Sequence, residues 1–306
     1  MLDLTFNQDG TFKIVQFTDL HWENGGEDDL KTKYLMENIL EKENPDLVVL
    51  TGDLIYSPNC DTPADSLCDV LEPINRKGVQ WAAVYGNHDT EVGVTKKELL
   101  DVQQQSPLCL TKEGNVSGVG NYQLHIYGAN EDQIKWSLFF LDSGMMNTNE
   151  QIGGYDYIKR DQIDWYVKQS QATKKQHGAC PELMFFHIPI PEFQEVWKIG
   201  NCYGDKHETV CSPKVNSGLF SAMQELHTVK GVFVGHDHIN DYHGNLYGIQ
   251  LCYGRATGYN TYGKEGFPRG ARVIHLHEGS DEFETYIRLD DHSVIRYEDE
   301  HMPDRT

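Results

Sequence analysis

A chain of 306 residues can bury a substantial core, and a composition of 39% hydrophobic and 24% charged residues excludes disorder as its default state. A net charge of −21 with no dense Lys/Arg run sets nucleic acid aside as a partner, and no apolar run approaches membrane-spanning length. In such an acidic chain an anionic ligand needs a locally positive spot, which bound metal cations can supply.

Short apolar runs alternate with amphipathic stretches, which predicts α/β layers. Strands are predicted at 12–17, 46–51, 80–85, 122–127, 137–141, 183–186, 231–234, 246–252, 273–277 and 283–287. The clearest helix spans 28–43, where Leu30, Tyr34, Leu35, Ile39 and Leu40 share a face, acids crowd the first turn and Pro45 stops it. Further helices are expected near 64–73, 95–104, 159–173 and 215–226, with long Gly-rich loops at 200–214 and 253–270. No repeat or linker divides the chain, so one domain is expected over 1–289, followed by a polar tail or edge extension over 290–306.

Several predicted strands end in metal-type side chains. Asp19-Leu20-His21 follows the first, Gly52-Asp53 the second and Gly86-Asn87-His88-Asp89 the third; His187 and Gly235-His236-Asp237-His238 follow two later ones. Open α/β sheets gather their sites at the carboxyl ends of strands, so these distant residues can share a pocket. Taken singly, each has an ordinary reading as a cap, a buried histidine or a strand end. The ordered set of carboxylates, imidazoles and one amide, without thiolate, suits Mn, Fe or Zn ions in a hydrolytic role.

In that order the five clusters resemble the signature of the calcineurin-like metallophosphoesterases, in their single-domain purple acid phosphatase-like group. The resemblance implies a four-layer α-β-β-α sandwich of two mixed sheets flanked by helices. It further implies a phosphatase with two divalent or mixed-valence metal ions, one held by Asp19, His21 and His238, the other by Asn87, His187 and His236, with Asp53 bridging. Phosphomonoesters would be split by in-line attack of a hydroxide shared by both ions. His88 would assist the leaving group and Asp89 would hold its imidazole, while Asn87, His88 and His187 face the substrate. Phosphodiester hydrolysis on the same centre, or a non-catalytic scaffold, are the alternatives.

Tyr56, in Gly52-Asp53-Leu54-Ile55-Tyr56, spells the motif by which true purple acid phosphatases supply a tyrosinate, but His21 competes for that coordination position and is preferred. Arg255, in the Gly-rich segment after the 246–252 strand, is a candidate for a forked contact with substrate phosphate. The expected partner is a small phosphorylated substrate, with no nucleic acid and no membrane. Seven scattered cysteines without CxxC spacing read as free thiols, although Cys202 and Cys211 could pair in an oxidising compartment. With no leader-like stretch after Met1, the cytoplasm is the expected compartment.

Overall fold

The computed structural model describes residues 3–130, 132–296 and 298–303. Along the chain the strands are β1 (Leu4–Thr5), β2 (Thr11–Phe17), β3 (Leu47–Thr51), β4 (Gln80–Val84), β5 (Tyr122–Tyr127), β6 (Ile134–Phe140), β7 (Glu182–Phe185), β8 (Cys202–Tyr203), β9 (Val229–Val234), β10 (His243–Leu246), β11 (Ile249–Tyr253), β12 (Gly270–His277), β13 (Phe283–Leu289), β14 (Val294–Ile295) and β15 (Glu300–His301). The helices are α1 (Glu27–Glu43), α2 (Pro63–Lys77), α3 (Lys96–Gln103), α4 (Arg160–His177), α5 (Glu192–Ile199) and α6 (Leu219–Leu226).

Two sheets result. One runs β14-β13-β12-β2-β3-β4, with β2, β3 and β4 parallel and β12 antiparallel to β2. The other runs β1-β5-β6-β7-β9-β11-β10-β8-β15, with β6, β7, β9 and β11 parallel. Side chains alternate across each strand, and here both faces are buried. Val15 and Phe17 of β2, with Val48 and Leu50 of β3, meet Leu35, Ile39, Leu67 and Ile74 of α1 and α2. Ile14 and Val49 point the other way, against Leu138, Phe185 and Phe233 of the second sheet. Val232 and Val234 turn outward to Ile163, Phe193 and Met223 of α4, α5 and α6. Three apolar interfaces therefore stack four layers, the sandwich that the resemblance implies.

Local detail departs from the sequence reading in several places. In α1 the buried stripe is Thr32, Leu35, Met36, Ile39 and Leu40, whereas Leu30 and Tyr34 are 57% and 64% exposed; they lie off the i, i+3, i+4 row set by the later residues. The strand predicted over 246–252 is a hairpin: Tyr247 and Gly248 take φ of +51° and +91°, the two left-handed residues of a tight turn, and Asn245 Oδ1 accepts the Gly248 N–H at 2.9 Å. Helix α5 starts directly after Pro191, where the Pro-rich text masks its short apolar face of Phe193 and Val196. Within 290–303, β14 pairs with β13 and β15 with β8, so this stretch borders both sheets.

Candidate metal centre

The loops after β2, β3 and β4 bring Asp19, His21, Asp53 and Asn87 to one end of the first sheet; those after β7 and β9 bring His187, His236 and His238 to the same end of the second. The sheets meet closely there. A Cβ on Gly235 would lie 1.9 Å from Thr18 Oγ1 and 2.8 Å from Asp19 Oδ2; within the first sheet, one on Gly86 would lie 2.1 Å from Asp53 Oδ1. The His236 N–H donates to the Asp19 carboxylate at 3.0 Å and the His88 N–H to Asp53 Oδ1 at 2.8 Å. Asp19, His21, Asp53 and His236 take φ of +54°, +48°, +50° and +79°, a left-handed backbone that non-glycine residues adopt at a cost. That cost is concentrated on candidate ligands.

Two groups of donor atoms share Asp53. Asp19, His21, Asp53 and His238 each offer one atom within 4.8 Å of the others, and Asp53, His187 and His236 do the same. Asp53 Oδ2 lies 3.4 Å from His21 Nε2 and 3.2 Å from His187 Nε2, and Asn87 Oδ1 is 3.2 Å from His187 Nε2. His187 Nδ1 donates to the Thr51 carbonyl at 2.8 Å, which leaves Nε2 turned inward, and His238 Nδ1 contacts Thr261 Oγ1, which turns its Nε2 toward Asp19 at 3.4 Å. All these side chains are buried, and among the described residues His21 Nε2, Asp53 Oδ2 and His236 Nε2 have no hydrogen-bond partner. Buried polar atoms aimed at a common point without partners are what a cation would satisfy.

Charge follows the same pattern. Burial works against ionisation of Asp53, yet the His187 and His21 imidazoles hold its carboxyl well below the usual carboxylate range. Burial likewise opposes charge on Asp19, and His238 brings it down to about 2. The negative pocket lifts His187 to about 9 despite burial, while burial and the His187 charge push His236 to about 3.

Residues 12–240 match the sequence model of the calcineurin-like phosphoesterases. The chain belongs to that family. Probable inactive purple acid phosphatase 29 of Arabidopsis thaliana is 34% identical, over 89% of this chain and 78% of its own length. Phosphatase DCR2 of Saccharomyces cerevisiae is 32% identical over 92% of this chain but only 54% of its own. Among solved structures, a dimetal phosphatase from Danio rerio superposes with a TM-score of 0.64 at 16% identity, covering 94% of this chain and 99% of that one, a likeness of fold. The donors of this calcineurin-like phosphoesterase, two clusters joined through one carboxylate, fit a pair of metal ions.

Two sequence-based assignments need correction in this family member. Asp89 does not reach the His88 imidazole: its carboxylate accepts the N–H groups of Asp53, Leu54, Ile55 and Gly86 at 3.1, 2.7, 3.0 and 2.7 Å, and so shapes the loop that carries Asp53. Burial and the Asp53 charge push Asp89 up to about 6, against those donors. The carboxylate beside His88 is Glu91, 3.2 Å from its Nδ1. Arg255 is buried and engaged elsewhere, ion-paired with Asp241, donating from Nε to the Pro268 carbonyl at 2.7 Å and stacked on Phe267 at 3.2 Å, which removes it as a substrate contact.

Tyr56 stacks on His21 at 5.8 Å between ring centroids and meets the His88 ring at 5.3 Å. Further neighbours of the centre went unmarked in the sequence. Tyr262 stacks on His238 at 4.2 Å and donates to Glu208 at 2.8 Å, Glu208 accepts the Ile239 N–H at 2.9 Å, and Tyr155 stands edge-on to His236 at 4.4 Å. Glu208 and Tyr262 lie on the two long Gly-rich loops, whose length was the available signal. The seven cysteines are free. Among the described residues, no helix is long and apolar enough to cross a membrane.

Proposed function

We propose that this chain is a binuclear metal-dependent phosphatase acting on monoesters of small phosphorylated compounds. The observation that carries the reading is the joining of both donor clusters through Asp53, with His88 packed against His21 at the rim. Two cations drawn from Mn, Fe or Zn would supply Lewis acidity, lowering the pKa of a water and neutralising charge on the phosphoryl oxygens. Asp19, His21 and His238 would hold one ion, and Asn87, His187 and His236 the other. Asp53, which belongs to both donor groups, would be shared between them, and its Oδ1 accepts the His88 N–H. His88, with 31% of its side chain exposed, gives a proton to the departing oxygen, and Glu91 orients its ring.

A second reading, a metal-binding fold without turnover, draws support from the name of the Arabidopsis relative. The filled donor set and His88 speak for catalysis. The experiment is to chelate the protein, reload it with Mn²⁺, Fe²⁺ or Zn²⁺, count ions, and compare rates on p-nitrophenyl phosphate and bis(p-nitrophenyl) phosphate. Two ions per chain and faster monoester cleavage are expected. Faster diester cleavage makes the chain a phosphodiesterase, and two ions with no turnover make it a scaffold.

A further inference from the structure

We propose that His275, His277 and Glu284 form a second, separate cation site on the helix-facing side of the six-stranded sheet, suited to a divalent transition ion such as Zn²⁺. His275 and His277 are two residues apart on β12 and so project from one face, and Glu284 stands directly opposite His275 on β13. One donor atom from each lies within 4.8 Å of the other two, the imidazole centroids are 4.5 Å apart, and His277 Nε2 is 3.7 Å from Glu284 Oε1. Ligand atoms about 2.0–2.2 Å from zinc sit roughly 3.4 Å from each other in a tetrahedron, so modest side-chain rotations close the set. His277 and Glu284, with side chains 44% and 67% exposed, have room for that movement. Two imidazoles and a carboxylate with an outward opening leave the remaining position to water.

The surroundings permit a cation. Lys13 is opposite His275 on β2, but its ammonium is committed to Glu43, 2.9 Å from the carbonyl and 3.2 Å from Oε2. The site is remote from the Asp53 centre. Because β12 is antiparallel to β2, the histidines stand beside Thr11 and Lys13 at the start of β2, whereas Asp19 follows its end. Six residues of strand separate Lys13 from Asp19, on the order of 20 Å. An ion there would tie β12 to β13 and stabilise the folded chain.

The test is to titrate chelated full-length protein with Zn²⁺, counting ions per chain and following the melting temperature, in wild type, His277→Gln and Glu284→Gln. The proposal expects each variant to hold one ion fewer than wild type, to lose part of the zinc-induced rise in melting temperature, and to keep its rate on p-nitrophenyl phosphate. A variant lacking both His236 and His238 keeps the outer ion. Equal ion counts and equal zinc-induced shifts in wild type and both variants would overturn the assignment whether or not the Asp53 centre proves catalytic. Should His277→Gln fold poorly, the exposed Glu284→Gln change carries the same reading.

Discussion

His88 differs from its neighbours in the cluster. Its ring leans on His21 and Tyr56 yet remains partly open to water, and it faces Glu91. We expect His88→Ala to lower kcat by about 100-fold or more with ion content unchanged, the range associated with a lost general acid. Glu91→Gln should give a smaller loss in kcat with little change in KM, as befits a residue acting through another. Thr261→Val removes the partner of His238 Nδ1, and chelator competition should show metal affinity falling about 10- to 100-fold. The gathering of the seven candidate donors was legible because each follows a strand and belongs to an ordered motif. Asp89 and Arg255 were misread because their chemistry has two uses: a carboxylate can steady an imidazole or collect backbone N–H groups, and a guanidinium can fork onto phosphate or onto Asp241. Nothing in the spacing chooses between them.

At the scale of elements, the centre depends on how closely two loops approach. Gly235 ends β9 against Thr18 and Asp19 of the other sheet, and Gly258 has no room for a side chain because Leu20 O would lie 2.0 Å from its Cβ. Gly235→Ala should therefore push the sheets apart, costing on the order of 1–3 kcal/mol of stability by overpacking. Ion counting on the folded variant should show metal lost from the Asp53 centre. Strand positions were largely readable, since stretches such as 47–50 and 231–234 are continuously apolar, as strands buried on both faces must be. The β10–β11 turn was not, because Tyr247 is an ordinary strand residue by type and only its left-handed backbone reveals the reversal.

At the scale of the molecule, the last described residues reach back into the interior. Glu298 is buried beside Arg272, at 3.4 Å, and near His243. Burial raises its carboxyl from 4.5 to about 7, the Asp241 charge adds to the rise, and Arg272 opposes it. The folded chain then holds this proton more tightly than the unfolded chain. Its contribution to stability is complete below about pH 4.5 and is lost as pH rises through about 7. Melting curves across that window should fall less steeply for Glu298→Gln than for wild type. The role of this segment was beyond the sequence reading, because its polar composition gives no periodicity to mark that Glu298 folds back beside Arg272.

Donors drawn from both sheets also fix a timetable. As the polypeptide emerges, Asp19, His21, Asp53 and Asn87 appear within about the first 90 residues, but their counterparts wait for the synthesis of His187, His236 and His238. Neither half alone owns a complete coordination shell. A site that would hold two ions therefore requires both halves to be made and docked.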